Sequence, residues 1–288
     1  MAELSLAMPL ALILSSFVAA SRIGGGAQQY VLAAHRIDPV LAPTVMFGRS
    51  PAKGGVGEVT APQVLAQMLA DIEADAVFGL VDLVLTGHFS LPEQVDIAAG
   101  VLERVRAANR GQAYADRPVV VVDPVMGDTP KGLYVKPEVA ERVASRLVPL
   151  ADWITPNIWE LWRLSGRPTD SLAETVAAAR ALGRPALVTS VPAANGEIGL
   201  LYVTAEAATL FTHPRVENLP NGTGDLVAAS FGAGLAEGLA PEAAALRAAQ
   251  AAAETVQATL EWRASELPIV ALADRLVNPR ATVHVRRL

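Results

Sequence analysis

The chain has 288 residues, 52% of them hydrophobic, and a formal net charge of −6; that supplies material for a substantial core and excludes a disordered chain. Its 23 Lys and Arg form no cluster beyond Arg286-Arg287, which argues against a nucleic-acid groove or a membrane surface and for a small-molecule partner. Zero Cys removes disulfides, thiolate metal sites and cysteine nucleophiles; four scattered His make no structural zinc site, and the composition fits a cytoplasmic protein.

Leu4 to Ala20 is apolar and closes on Ala19-Ala20-Ser21, the form of a secretory h-region. A signal peptide carries positive charge ahead of that run, whereas the only charged side chain here is Glu3. The expectation is a buried first strand, Leu10–Phe17, too short and interrupted to span a membrane. Short β-like runs then alternate with longer Ala-rich helical stretches, the pattern of βαβ units on a parallel sheet. Strands are expected at Pro39–Phe47, Val81–Thr86, Val119–Asp123, Trp153–Thr155 and Ala186–Ser190. Helices are expected at Ala27–Arg36, Pro62–Phe78, Pro92–Asn109, Pro137–Leu147, Asn157–Leu164 and Ser171–Leu182, several begun by Pro where no N–H is needed. Ile198–Thr204 and Ala208–His213 read as an antiparallel hairpin, and Gly224–Glu237 and Pro241–Leu260 as two closing helices. With neither linker nor repeat in view, 1–288 reads as one α/β domain whose sheet is mixed at the hairpin edge.

In open parallel sheets ligands gather beyond the carboxyl ends of the strands, so the residues there carry the functional reading. Ser16 ends the first strand and Gly24-Gly25-Gly26 follows, but neither a Gly-x-Gly-x-x-Gly fingerprint nor a P-loop is present. His88 follows Val81–Thr86; it can lie flat on an aromatic ligand or serve as an ordinary hydrogen-bonded histidine. Asp123 ends a buried run before Pro124, as a turn former or as a charge awaiting a metal-bound phosphate. Asn157 and Glu160 have capping-box spacing, and the same spacing puts an amide and a carboxylate on a first helical turn beside Asp123. Two such carboxylates suit hydrated Mg²⁺, while Thr189 and Ser190 offer hydroxyls to phosphate.

The segment Asn221-Gly222-Thr223-Gly224-Asp225 opens the first closing helix. It is either a helix cap or an anion trap, with free N–H groups from Gly222, Thr223 and Gly224 beside a carboxylate that can act as a base. The chemistry of the second reading is phosphoryl transfer to an alcohol.

Three blocks in this order, Val122-Asp-Pro-Val-Met-Gly-Asp128 with Gly132-Leu-Tyr-Val135 just beyond, Ile154-Thr-Pro-Asn-Ile-Trp-Glu160 and Gly222-Thr-Gly-Asp225, make the chain resemble the pyridoxal kinases of the ribokinase-like superfamily from about Leu12 to Leu276. The resemblance implies a three-layer α/β/α sandwich, ATP and Mg²⁺ with K⁺ as a further ion, and a homodimer. It implies Asp225 as the base for a 5′-hydroxymethyl group, Gly222, Thr223 and Gly224 as the anion hole, and Asp123 and Glu160 as organisers of Mg²⁺. Asn157, Thr189 and Ser190 would touch ATP phosphates, Ser16 the polar edge of the pyridine ring, and His88 the position where the family has Tyr against the ring. The chain departs from the family on the vitamin side, with Ser16-Phe17 for a Ser-His pair, Gly24-Gly25 for Gly-Asn, and an unusual Met46–Gly57 segment. Two alternatives stay open: a hydroxymethylpyrimidine-type kinase, whose relatives often carry Cys in the catalytic segment, and a non-catalytic binder of pyridoxal phosphate or nucleotide.

Overall fold

A computed structural model of the chain describes residues 8–110 and 115–288, so the start of the apolar run at Leu4 lies outside the described residues. The first half runs β1 (Leu10–Val18), α1 (Gly24–Ala34), β2 (Asp38–Phe47), β3 (Gly57–Val59), α2 (Pro62–Ala74), β4 (Val81–Thr86), α3 (Pro92–Ala107), β5 (Val119–Val122), the small pair β6 (Gly127–Asp128) and β7 (Gly132–Leu133), and α4 (Pro137–Arg142). The second runs β8 (Trp153–Ile154), α5 (Ile158–Ser165), α6 (Leu172–Ala181), β9 (Ala186–Pro192), β10 (Glu197–Val203), β11 (Ala208–Pro214), α7 (Thr223–Ala236), α8 (Pro241–Glu261), α9 (Ala273–Val277) and β12 (His284–Arg287).

Ten strands form one sheet in the order β12-β11-β10-β9-β8-β5-β4-β1-β2-β3. From β2 to β9 the pairing is parallel, and it turns antiparallel at both margins, through β10–β12 on one side and β3 on the other. The central strands are apolar on both faces, as a sheet covered by helices on both sides requires. Leu10, Leu12, Leu14, Val84, Val120 and Val122 join the core under α2–α6, whereas Ala11, Ile13, Leu83, Leu85 and Val121 join the one under α1, α7, α8 and α9. The small-residue run of α7 lets that helix lie close on the sheet: a Cβ at Gly232 would already be 3.1 Å from Leu83.

The boundaries that differ have local causes. The three glycines belong to α1 itself rather than to a loop before it, because Gly24 starts the helix with φ +61 directly against Ser16. Helix α2 stops at Ala74 instead of Phe78, since Ala76 turns left-handed at φ 62. After Arg142 the α4 helix widens into a π-type turn over Val143–Leu147. No helix among the described residues is long and apolar enough to cross a membrane.

Candidate active site

The parallel strands end together on one side of the sheet, and α7 begins there. Its first intrahelical bond is Leu226 N–H to the Gly222 carbonyl, so the N–H groups of Thr223, Gly224 and Asp225 precede the ladder and face outward. Gly222 has φ +116, and a Cβ on it would stand 2.2 Å from the Arg22 carbonyl oxygen; only glycine fits. Open space lies where Gly224 would carry a side chain. The Asp225 carboxylate accepts the Gly24 N–H at 2.8 Å, so the start of α1 steadies a group on α7. Burial raises Asp225 to about 6 while the Gly24 N–H pulls the other way.

Facing it is an acidic crevice. Asp123 is pushed well above the ordinary carboxylate range by burial, then by the negative charge of Glu160 and Asp225, with Thr155 opposing. Glu160 is 2% exposed and accepts N–H groups from Met126 (2.8 Å), Gly127 (3.4 Å) and Asn157 (2.9 Å). Burial lifts it to about 7 against those three bonds. The capping box is therefore real: Asn157 Oδ1 takes the Glu160 N–H at 2.9 Å, and Asn157 Nδ2 donates to the Gly127 carbonyl at 2.8 Å. Asn157 thus spends its side chain tying α5 to the 123–128 loop. That loop holds Val125 at φ 41, a costly conformation for a β-branched residue and one that concentrates at functional sites.

The remaining predicted residues lie at or just beyond the carboxyl-terminal parts of β1, β4 and β9. Ser16 is buried at the end of β1, its Oγ 2.3 Å from where a Cβ on Gly24 would be. His88 follows β4, with Nε2 3.1 Å from Ser90 Oγ, and burial lowers it to about 4, so the ring is neutral. Its carbonyl accepts the Thr44 hydroxyl of β2 at 2.5 Å. Thr189 is buried and bridges Asn157, whereas Ser190 is exposed with φ 59. Two residues outside the predicted set join the site. Tyr134 lies close enough to Glu160, Asp123, Asp225 and Asp128 for their charges to raise its hydroxyl, after burial, and Asp128 also adds to the field at Glu160. Both stood within the motif blocks, Asp128 at the end of the first and Tyr134 in Gly132-Leu-Tyr-Val135 just beyond it, with no role assigned to either. A cavity of ≈ 470 Å³ beside α5, lined by Thr129, Trp159, Trp162 and Asp170 among others, includes none of the predicted residues.

The negative charges of Glu160 and Asp225 both act on Asp123, and Asp123 and Glu160 are the carboxylates that could hold a cation here. Among the described residues no group of three or more His, Cys, Asp or Glu is placed to hold a metal ion. Charge-organising acids, free helix-end N–H groups and a poised carboxylate together suit in-line transfer of a phosphoryl group to an alcohol.

A family model described as phosphomethylpyrimidine kinase matches residues 94–270. A pyridoxal kinase of Leifsonia xyli is 32% identical over 285 residues, covering 96% of this chain and 99% of that protein. A pyridoxine/pyridoxal/pyridoxamine kinase of Bordetella avium is 33% identical over 237 residues, covering 80% and 78%. Among solved structures, the pyridoxal kinase of Leishmania donovani in complex with ADP and pyridoxamine superposes with a TM-score of 0.88 at 26% identity, over 97% of this chain and 99% of that one.

Proposed function

The chain belongs to the pyridoxal kinase family of the ribokinase-like fold, and on that footing we propose that it transfers the γ-phosphoryl group of ATP to the 5′-hydroxymethyl group of pyridoxal, pyridoxine or pyridoxamine. The observation that carries the assignment of roles is the pairing of Gly24 N–H with Asp225 at the open end of α7. Asp225 takes the proton of the vitamer hydroxyl, and the N–H groups at Gly222, Thr223 and Gly224 receive the charge that builds on the phosphoryl oxygens. Asp123 and Glu160 hold Mg²⁺, which supplies neutralisation of the phosphate oxygens. Asn157, Thr189 and Ser190 contact the ATP phosphates, Asn157 also holding the 123–128 loop in place. Ser16 meets the polar edge of the ring and neutral His88 lies against its face. The proposal extends to one domain over 1–288, working as a cytoplasmic homodimer with K⁺ as a further ion.

The test is ADP release with Mg-ATP over pyridoxal, pyridoxine and pyridoxamine, with and without K⁺, alongside light scattering for the oligomer. Turnover of none of the three vitamers removes the proposal. Tight binding of vitamer or nucleotide without ADP formation would point to a non-catalytic binder.

One observation favours the pyrimidine alternative. The matching family model is described as a phosphomethylpyrimidine kinase. Its match begins at residue 94, after β4, so it spans the phosphoryl-transfer half and leaves out Ser16, Thr44 and His88, the residues that would read the ring. Including hydroxymethylpyrimidine in the same assay decides between the two rings, and a higher kcat/KM for it overturns the vitamer assignment.

A further inference from the structure

Outside the crevice, one carboxylate gathers three separate segments of chain. Glu266 lies in the connection between α8 and α9; its Oε2 accepts the Ser21 hydroxyl at 2.6 Å and the Arg22 N–H at 3.2 Å, and its Oε1 pairs with Lys53 Nζ at 2.5 Å. Burial alone would raise this carboxyl, yet its partners outweigh burial and hold it below the ordinary range, Lys53 most of all, then Ser21 and Arg22. The grip is therefore on the charged form.

What those segments touch gives the grip its meaning. Arg22 packs its carbonyl oxygen against Gly222, and two residues on, Gly24 donates to Asp225. Leu267, next to Glu266, stands 3.2 Å from the Cβ position of Gly222 on another side. Lys53 closes a short turn between β2 and β3, the connection that leaves the strand carrying Thr44 and Met46. Ser21, Ser50, Lys53, Asn221 and Glu266 line a cavity of ≈ 170 Å³ where these segments meet.

We infer that Glu266 is a positioning residue for phosphoryl transfer: it fixes the β1–α1 connection that seats Gly222 and aims Gly24 at Asp225, and through Lys53 it anchors the β2–β3 connection to the same frame. The inference rests on the kinase reading above and concerns no group that touches substrate.

The experiment compares Glu266→Ala, Glu266→Gln, Lys53→Met and Asp225→Asn, with thermal unfolding to confirm folding. Glu266→Ala should lower kcat by about 10²-fold, the scale of a displacement of about 1 Å at a reacting group, with the KM for ATP kept within about threefold. Glu266→Gln keeps an acceptor for Ser21 and Arg22 and should recover most of that loss. Lys53→Met should raise the KM for the vitamer and leave kcat largely in place. In the Asp225→Asn background Glu266→Ala should add little, because its effect passes through Asp225. A loss that is fully additive with Asp225→Asn, or one that tracks only the fraction of folded protein, overturns the inference. Amide hydrogen exchange over residues 21–26 gives a reading that needs no turnover: it should quicken in Glu266→Ala and not in Glu266→Gln. Unchanged exchange sinks the inference even where the wild-type chain turns over no vitamer, which separates its failure from that of the kinase reading.

Discussion

Gly24 and Asp225 are 201 positions apart in the chain and 2.8 Å apart in the structure, joined by the first N–H of α1 and the carboxylate on the first turn of α7. The bond engages Oδ2 and restrains the carboxylate from that side. A carboxylate held this way is positioned without help from substrate, and its charge reaches Asp123 across the crevice.

Replacing Asp225 by Asn keeps an oxygen for the Gly24 N–H and removes the base. The expected result is a fall in kcat of at least roughly 10²-fold, the contribution of a positioned general base, with little change in melting temperature. ADP release and thermal unfolding on the same preparation check it; retained activity rules Asp225 out as the base.

The pH dependence has a definite sign. Burial places Asp225 at about 6, so its basic form is lost as pH falls through that value. The rate under kcat/KM conditions should drop about tenfold per pH unit below the turning point and level off above it. A profile that stays flat down to pH 5 contradicts the burial argument.

The acidic crevice is a local cost to the fold when no cation is bound. Asp123 and Glu160 both bind a proton more tightly in the folded chain than at their ordinary values, Glu160 titrating at about 7 against 4.5. Protonation of Glu160 therefore stabilises the fold below about 4.5, a contribution lost as pH rises through about 7, and that of Asp123 acts in the same direction. Removing one charge should do the same at fixed pH: Asp123→Asn is expected to raise the ligand-free melting temperature by roughly 2–4 °C while abolishing turnover. Adding Mg-ATP should raise the wild-type melting temperature more at pH 8 than at pH 6, and more than in Asp123→Asn. Calorimetry at the two pH values reads all of these.

Two glycines of one motif should behave differently. A methyl on Gly222 meets the Arg22 carbonyl and a left-handed φ of +116, whereas a methyl on Gly224 meets open space. Gly222→Ala should lower both stability and kcat, by more than about 1 kcal/mol for the strained backbone. Gly224→Ala should melt as the wild type, its methyl meeting nothing within 4 Å, and lose activity only, because the anion-hole assignment puts the phosphoryl group beside this N–H. A normal kcat in Gly224→Ala refutes the anion-hole assignment.

The parallel core was legible because each central strand is an apolar run closed by a polar residue, and the site was legible where that closing residue is acidic, as at Asp123. Edges were not. Strands β3, β6, β7 and β12 have two to four residues, too few to show a period, and β12 reads His-Val-Arg-Arg, a charged sequence suited to a sheet margin. Asn157 and Glu160 were read both as a capping box and as a site pair, and the first of these is what their hydrogen bonds show. Contacts between distant segments left no trace: neither the Gly24–Asp225 bond nor the Glu266 hub has a spacing that pattern reading can detect.

The vitamin side has its own test in His88. Half-buried and held neutral, with desolvation lowering its titration to about 4, the imidazole presents an uncharged flat ring across the range in which the enzyme would work. Its carbonyl accepts the Thr44 side-chain hydroxyl of β2, so the backbone at this point is held without the imidazole and survives replacement of the ring. His88→Tyr should therefore fold normally and keep or lower the KM for pyridoxal, because a larger aromatic face can cover the same pyridine ring. His88→Ala should raise the KM for every vitamer by about tenfold, the worth of one stacking contact of about 1.4 kcal/mol, with the KM for ATP unmoved. The two variants separate stacking from hydrogen bonding through the imidazole nitrogens: equal losses in Tyr and Ala would assign the role to the nitrogens, and a loss confined to Ala assigns it to the face of the ring.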